Sequence, residues 1–477
     1  MLSSIPFVAP ELIALTLALL ILMFDLFLPK GRKSILGYLA VAGLVVAAVQ
    51  AWNMQGVNVT MFSGMFRLDG FAIFFKIVFC IAASIAILIS INYLKVENIE
   101  LGEYYALILF ATTGMMIMAS GADLISIYLG LELMALSVYV LAGFLRNMPK
   151  SNEASLKYFL LGAFSSGILL YGIATLFGVT GSTNLHEIAS FIQTGVYSRP
   201  ALILGMIMVT AGFGFKVAAV PFHMWTPDVY EGAPTSVTAF MSVGPKAAAF
   251  AAFLRVFTVA LPAIQSDWTI IISTLAIGSM LIGNVVAISQ TNIKRMLAYS
   301  SIAHAGYAMV GFVAGGWQGV SSVMLYLLIS TFMYLGAFGV VIMLRKDGVM
   351  GEDIQDLAGL AKKNRLAALL MLIFMFSLAG IPPTAGFIGK FYIFMSALNA
   401  GFLWLAIIGV MMSAVSAYFY LRIVMVMYMS EPKGEFSLAT SFPMAIAMIV
   451  TVCAVLYFGM YPSGIVDFAR VSATGIM

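Results

Sequence analysis

Phe213-Gly-Phe-Lys-Val-Ala-Ala-Val-Pro221 and Leu378-Ala-Gly-Ile-Pro-Pro-Thr-Ala-Gly-Phe-Ile-Gly-Lys390 each set glycine, proline and one lysine into a run that is otherwise apolar. Proline has no N–H to donate and its ring clashes with the preceding turn, so each run reads as a helix broken near its middle. In a bilayer the backbone groups freed by such a break must be met by protein or by a water-lined cavity. Matched breaks in two halves of one chain therefore point to a transport site.

The composition puts these breaks in a membrane. Hydrophobic residues make up 62% of the chain and charged residues 9%, against about 25% charged in a soluble domain. Mean hydropathy is +1.05. A helix satisfies its own backbone and needs roughly 20 apolar residues to cross a core about 30 Å thick. Apolar segments run at 6–28, 34–52, 70–94, 103–121, 123–145, 153–180, 200–224, 234–260, 268–289, 296–315, 317–344, 364–397, 400–429 and 439–461, which predicts an all-α polytopic membrane protein of about fourteen transmembrane helices. The two broken runs fall fourth in two five-helix sets, helices 4 to 8 and 9 to 13. A set with an odd number of spans must enter the membrane from the opposite side the second time, so the spacing predicts inverted repeats. The expected organisation is a three-helix segment over 1–100, repeats over 101–262 and 263–430, and a last helix and tail over 431–477.

The run from Phe7 to Leu28 is longer than a signal-peptide core and lacks a small-residue cleavage pattern before Pro29-Lys30, so it reads as a retained first helix. Cys80 and Cys453 both lie in apolar runs, which excludes a disulfide framework, an iron–sulfur site or a Cys-rich zinc site. There is no Gly-rich phosphate loop, nucleophile elbow or pair of catalytic carboxylates, so redox chemistry and ATP hydrolysis have no seat in the chain. The net charge of +4 does not point to nucleic acid, because the basic residues are spread over membrane loops.

Those loops set the orientation. Alternate connections hold Lys30, Arg32 and Lys33; Lys95; Arg146 and Lys150; Lys294 and Arg295; Arg345, Lys346, Lys362, Lys363 and Arg365; and Lys433. The opposite set holds little beyond Arg67 and Arg199, with Arg470 in the tail, so both termini are expected outside.

A charge at the bilayer centre costs about 2.5 to 3.5 kcal/mol on insertion scales, so several together indicate function. Glu132 lies mid-segment, Lys216 precedes the Pro221 break, Lys246 follows Gly244-Pro245, and Lys390 closes the second broken run. Glu132 is either half of an ion pair that locks two helices or part of a switch, with Lys216 as the expected partner. An ammonium stripped of water holds its proton less tightly and one beside a carboxylate holds it more tightly, so moving the carboxylate would change the lysine's protonation. Lys246 and Lys390 have no acidic neighbour in sequence. A buried amine without a counter-ion suits a relay, while Lys390 also admits the reading of a lysine snorkelling to a helix end. Lys157 is either an anchor or a relay's uptake point. His223 and His304 are candidate shuttles or hydrogen-bonded packing residues, and His186 lies in an outside loop. Three scattered histidines without carboxylates at ligand spacing argue against a metal. Lys76, Asp25 and Arg255 are helix-end anchors or contacts to other chains.

Two longer motifs carry a resemblance. They are Val220-Pro-Phe-His-Met-Trp-Thr-Pro-Asp-Val-Tyr-Glu-Gly-Ala-Pro-Thr-Ser-Val-Thr-Ala-Phe-Met-Ser-Val-Gly-Pro-Lys-Ala-Ala-Ala-Phe250 and Gln290-Thr-Asn-Ile-Lys-Arg-Met-Leu-Ala-Tyr-Ser-Ser-Ile-Ala-His-Ala-Gly-Tyr307. Together they resemble the antiporter-like subunits of proton-pumping NADH:quinone oxidoreductase, respiratory complex I. The first is similar to the subunit N branch, and the second is shared with the larger antiporter-like subunits and with multisubunit sodium/proton antiporters. The resemblance implies fourteen helices with two inverted five-helix repeats and a role as one proton-translocating unit of the membrane arm in a bacterial inner membrane. It also implies Glu132, Lys216, Lys246 and Lys390 as the principal proton-carrying residues, with Lys157 and His304 in secondary positions. NADH, FMN, iron–sulfur clusters and quinone are then expected in other subunits, with no cofactor in this chain. The implied partners are the adjacent antiporter-like subunit M, small subunits K and J, and the lateral helix of subunit L. The competing expectations are a cation/proton antiporter subunit and a passive scaffold of the membrane arm.

Overall fold

The computed structural model describes residues 2–476 except 30, 98, 347–348 and 433–435. Lys30 and Lys433, counted among the basic loop residues, lie outside the described residues. The helices are α1 (Ala9–Phe27), α2 (Ser34–Trp52), α3 (Gly70–Val96), α4 (Glu103–Ser120), α5 (Leu124–Ala142), α6 (Pro149–Thr180), α7 (Leu185–Gln193), α8 (Arg199–Val217), α9 (Trp225–Gly232) and α10 (Thr235–Met241). They continue as α11 (Gly244–Arg255), α12 (Gln265–Ser289), α13 (Ile293–Ala314), α14 (Gly316–Met343), α15 (Leu360–Lys363), α16 (Arg365–Ala379), α17 (Ala385–Asn399), α18 (Leu403–Met429), α19 (Phe442–Met460) and α20 (Ser463–Ala473). Thirteen helices among the described residues are long and apolar enough to cross a membrane. The twelfth expected span is divided into α16 and α17, each too short alone, so together they make the fourteenth crossing.

Both expected breaks are present. α8 stops at Val217, where Ala218 takes a left-handed conformation at φ 61°, and α9 resumes at Trp225. α16 stops at Ala379 with Gly380 at φ 86°, and α17 resumes at Ala385. A third break was not anticipated. The run 234–260 reads as one helix, yet it divides into α10 and α11 at Ser242–Val243, immediately ahead of Gly244-Pro245. Pro245 cannot donate back to the preceding turn, so the helix restarts there with proline in its first turn. Lys246 thus sits in the first turn of α11, not inside a continuous helix.

Short strands accompany the helices. β1 (Val59–Met61) and β2 (Phe66–Leu68) form an antiparallel hairpin, and β3 (Leu344–Lys346) pairs with both β4 (Val349–Met350) and β5 (Phe436–Leu438). All lie in connections, and none enters the helical core.

The span formed by α10 and α11 is entirely buried, and α13 and α14 are almost so, whereas no more than about a third of α1, α18 and α19 is buried. The candidate charges on α11 and α13 therefore sit on the central axis, and the outer helices present the apolar surface to lipid or partners. Lys76, Asp25 and Arg255 are paired within the chain. Lys76 meets Glu11 at 2.7 Å, Lys33 meets Asp25 at 2.8 Å, and Arg255 grips Asp69 with two hydrogen bonds of 2.8 Å.

Helix pairs approach closely where glycines face each other. A Cβ at Gly130 of α5 would stand 2.8 Å from the Gly114 carbonyl oxygen of α4, and one at Gly114 would meet the Gly130 carbonyl at 2.5 Å. Gly114→Val is expected to destabilise this crossing by about 1–3 kcal/mol, the usual range for overpacking. Its measurable consequence is less assembled protein in the membrane on native gels, and parental amounts would rule out this packing role.

Candidate functional site

Asp123 caps α5 by accepting from the Ile125 amide at 2.8 Å, and the third turn of that helix carries Glu132. Glu132 is half-buried, and its Oε1 is buried with no hydrogen-bond partner among the described residues. Leu129, Leu136 and Val140 on the same helix are exposed, so this flank of α5 is an outer surface of the chain. Lys216 is buried on the last turn of α8, where its Nζ donates to Tyr139 Oη at 3.1 Å and lies 5.5 Å from that ring's centre.

The expected direct pair of Glu132 with Lys216 is not formed. Tyr139 is seven residues beyond Glu132 on α5, two turns or about 10 Å along the axis, and it is the group Lys216 reaches. Tyr139 escaped sequence reading because a tyrosine inside an apolar run is usually packing.

Lys246 projects from the start of α11 to α13. Its Nζ donates to the Ser301 carbonyl at 2.8 Å and also to the Ser301 hydroxyl. Both residues line a cavity of about 20 Å³ among buried side chains that His304, Ser330 and Tyr334 share. That is room for one water, and the Ser330 hydroxyl facing it has no other partner among the described residues. His304 is held on both ring nitrogens, with Tyr326 Oη 2.8 Å from Nδ1 and Tyr420 Oη 3.2 Å from Nε2. Ser300 bonds to both Tyr334, at 2.7 Å, and Tyr420.

Lys390 reaches from α17 back across the break to the end of α16. Its Nζ donates to the Leu378 and Ala379 carbonyls at 3.0 and 2.9 Å and to Ser413 Oγ at 2.9 Å. Those carbonyls are the ones a helix C-terminus leaves without partners, at the negative end of its dipole. The lysine is therefore not snorkelling; it caps the broken helix, 5.0 Å from the centre of the Tyr307 ring. Tyr307 in turn stands edge-on to His304 at 5.7 Å. Lys246, His304 and Lys390 thus belong to one buried aromatic and hydroxyl cluster.

The remaining candidates stand apart. Lys157 is partly exposed and paired with Glu153 at 2.7 Å and Asp228 at 3.0 Å, in a surface cluster where Arg295 also binds Asp228 at 2.8 Å and Glu231 at 2.9 Å. His223 is buried at the α8–α9 break, and its Nδ1 has no partner among the described residues. His186, outside the spans, meets Arg67 at 3.1 Å. Burial, then the Arg67 and Arg255 guanidiniums, hold its proton affinity below the usual histidine range, which suits a ring nitrogen accepting from arginine.

Residues 121–416 match the family described as NADH:quinone oxidoreductase/Mrp antiporter, transmembrane. The NADH-quinone oxidoreductase subunit N of Trichlorobacter lovleyi is 52% identical over 465 residues, covering 97% of this chain and 96% of that one. Among solved structures, a chain of respiratory complex I from Thermus thermophilus with bound aureothin matches at TM-score 0.81 and 31% identity, covering 96% of this chain and 98% of that one. A chain of the Mrp complex from Dietzia sp. DQ12-45-1b matches at TM-score 0.82 and 21% identity, covering 99% and 97%, a likeness of fold alone. The fold and its buried lysines are those of an antiporter-like membrane subunit. The chain belongs to the NADH:quinone oxidoreductase/Mrp antiporter transmembrane family, and within it to the subunit N group of NADH-quinone oxidoreductase.

Proposed function

We propose that this chain moves protons through the membrane arm of an NADH:quinone oxidoreductase along Glu132, Lys216, Lys246 and Lys390, with His304 between the last two. The carrying observation is that Lys216, Lys246 and Lys390 are buried without a carboxylate within ion-pair distance among the described residues and are held instead by Tyr139, Ser301 and Ser413. Neutral hydroxyls can pass a proton on, whereas a tight ion pair holds it. Lys157, in its cluster with Asp228, is a relay uptake point on the side of the basic loops, and His223 is an auxiliary group at the first break. The two five-helix sets, 101–262 and 263–430, act as inverted halves, with the breaks at Pro221 and at Pro382-Pro383 in corresponding helices and both termini on the periplasmic side. Glu132, on an outer flank with an unpartnered oxygen, faces a neighbouring subunit. Subunits M, K and J and the lateral helix of subunit L are the expected neighbours, and NADH, FMN, iron–sulfur clusters and quinone belong to other subunits.

The test is Glu132→Ala and Lys216→Ala in the intact complex. Both variants should assemble, and both should lower proton pumping and the coupled quinone reductase rate together, because each coupled step waits for the other. Full pumping by either assembled variant would refute the role given to that residue.

A further inference from the structure

α9 is a helix of eight residues, too short to hold its shape unaided, and both its ends are fixed by other helices. At its first residue, Trp225 donates its indole N–H to the Phe215 carbonyl of α8 at 3.1 Å, next to Lys216, and stacks on the Tyr158 ring at 4.4 Å between centres. At its far end, Lys294 in the first turn of α13 donates to the Glu231 and Ala233 carbonyls at 2.5 and 3.1 Å. Those are carbonyls that a helix C-terminus leaves without partners. The third proton of the ammonium goes to Glu352 Oε1 at 3.2 Å, in the connection between α14 and α15.

Lys294 is buried, yet it differs from Lys216, Lys246 and Lys390 in having a carboxylate partner. An ammonium has three protons to give. Two carbonyls and a carboxylate take all three, so Lys294 is a fixed charge and not a carrier. Arg295 beside it holds α9 through the side chains of Asp228 and Glu231. Ser301, which holds Lys246, stands seven residues further along α13, two turns up the same face. One face of α13 thus grips both α9 and Lys246.

We propose that Lys294 is a positioning residue for Lys216: by fixing the end of α9 it keeps Trp225 on the Phe215 carbonyl and so sets where the last turn of α8 presents the lysine; the proposal rests on the relay reading above. α9 acts as a strut about 12 Å long between α13 and that turn. No proton is exchanged at Lys294, so the place needs a permanent positive charge with several donors. Arginine supplies both, and Glu352, 32% exposed, leaves room at the rim for the larger head group.

The experiment uses the whole complex, with turnover and pumping measured on equal amounts of assembled protein. Lys294→Met should lower both at least threefold, and hydrogen exchange read by mass spectrometry should quicken at least threefold over residues 225–234. Lys294→Arg should recover at least half of parental turnover and the parental exchange, the opposite of what a proton carrier would do. Trp225→Phe keeps a ring against Tyr158 and removes only the indole N–H, and it should also lower turnover at least threefold. Parental turnover in Lys294→Met overturns the proposal, as does unchanged exchange over α9 or an arginine variant as inactive as the methionine one. Where Lys294→Met fails to assemble, Trp225→Phe decides, since parental turnover there breaks the link from α9 to Lys216. Lys216→Ala run in parallel separates the two levels. Lost pumping there with parental turnover in Lys294→Met removes only the positioning role, while normal pumping in Lys216→Ala removes the relay reading and the purpose of the strut with it.

Discussion

Lys246→Arg is expected to lose coupled quinone reductase activity and proton pumping by roughly tenfold or more, as severely as Lys246→Ala, because arginine with a pKa above about 12 keeps its proton. Charge alone is conserved by the substitution, so a fixed electrostatic role would leave activity near parental. The surroundings sharpen the contrast. Lys246 lies at the edge of a buried cavity of about 20 Å³, with its ammonium held by the carbonyl and hydroxyl of one serine. A guanidinium is larger and its donors are set in a rigid plane, so Ser301 cannot satisfy it as it does an ammonium. Assembly is checked first on native gels. Turnover and pumping are then measured on equal amounts of complex, and near-parental values in the arginine variant would sink the relay role of Lys246.

Much of this site was legible in the sequence because membranes simplify the reading. Every span announces itself by length and composition, and each buried charge stands out against an apolar run. The breaks at Pro221 and at Pro382-Pro383 were legible for the same reason, since proline's missing donor is a local property. The break ahead of Gly244-Pro245 was local as well, yet its apolar flanks read as one continuous helix.

What was not legible depends on the third dimension. Tyr139, Ser301 and Ser413 are unexceptional in sequence and matter only because Lys216, Lys246 and Lys390 reach them. The missing Glu132–Lys216 contact is of the same kind. Spacing shows that both residues lie inside spans, but only the meeting of α5 with the end of α8 decides that the lysine reaches Tyr139 and not the carboxylate. The strands β3 and β5, in connections 92 positions apart, carry no periodicity that two or three residues could reveal. The ion pair between Asp69 and Arg255 joins positions 186 residues apart.

That last pair gives the other large effect, of opposite character. Asp69 is fully buried, caps α3 by accepting from the Ala72 amide at 2.8 Å, and receives both arms of Arg255. Arg255→Leu would leave the carboxylate buried without its main counter-ion, and breaking a buried pair from one side typically costs about 3–5 kcal/mol. A loss of that size should sharply reduce the amount of assembled complex. Arg67, 3.5 Å from Asp69, offers only partial compensation. Adding Asp69→Asn to Arg255→Leu removes the stranded charge and keeps a side chain able to cap the helix, so the double variant should recover much of the lost protein. Turnover per assembled complex should stay near parental in both. The relay residues are expected to behave in reverse, with normal assembly and lost turnover. Should Arg255→Leu assemble fully but fail to pump, the Asp69–Arg255 pair belongs to the proton path and not to the framework that holds α3 against α11.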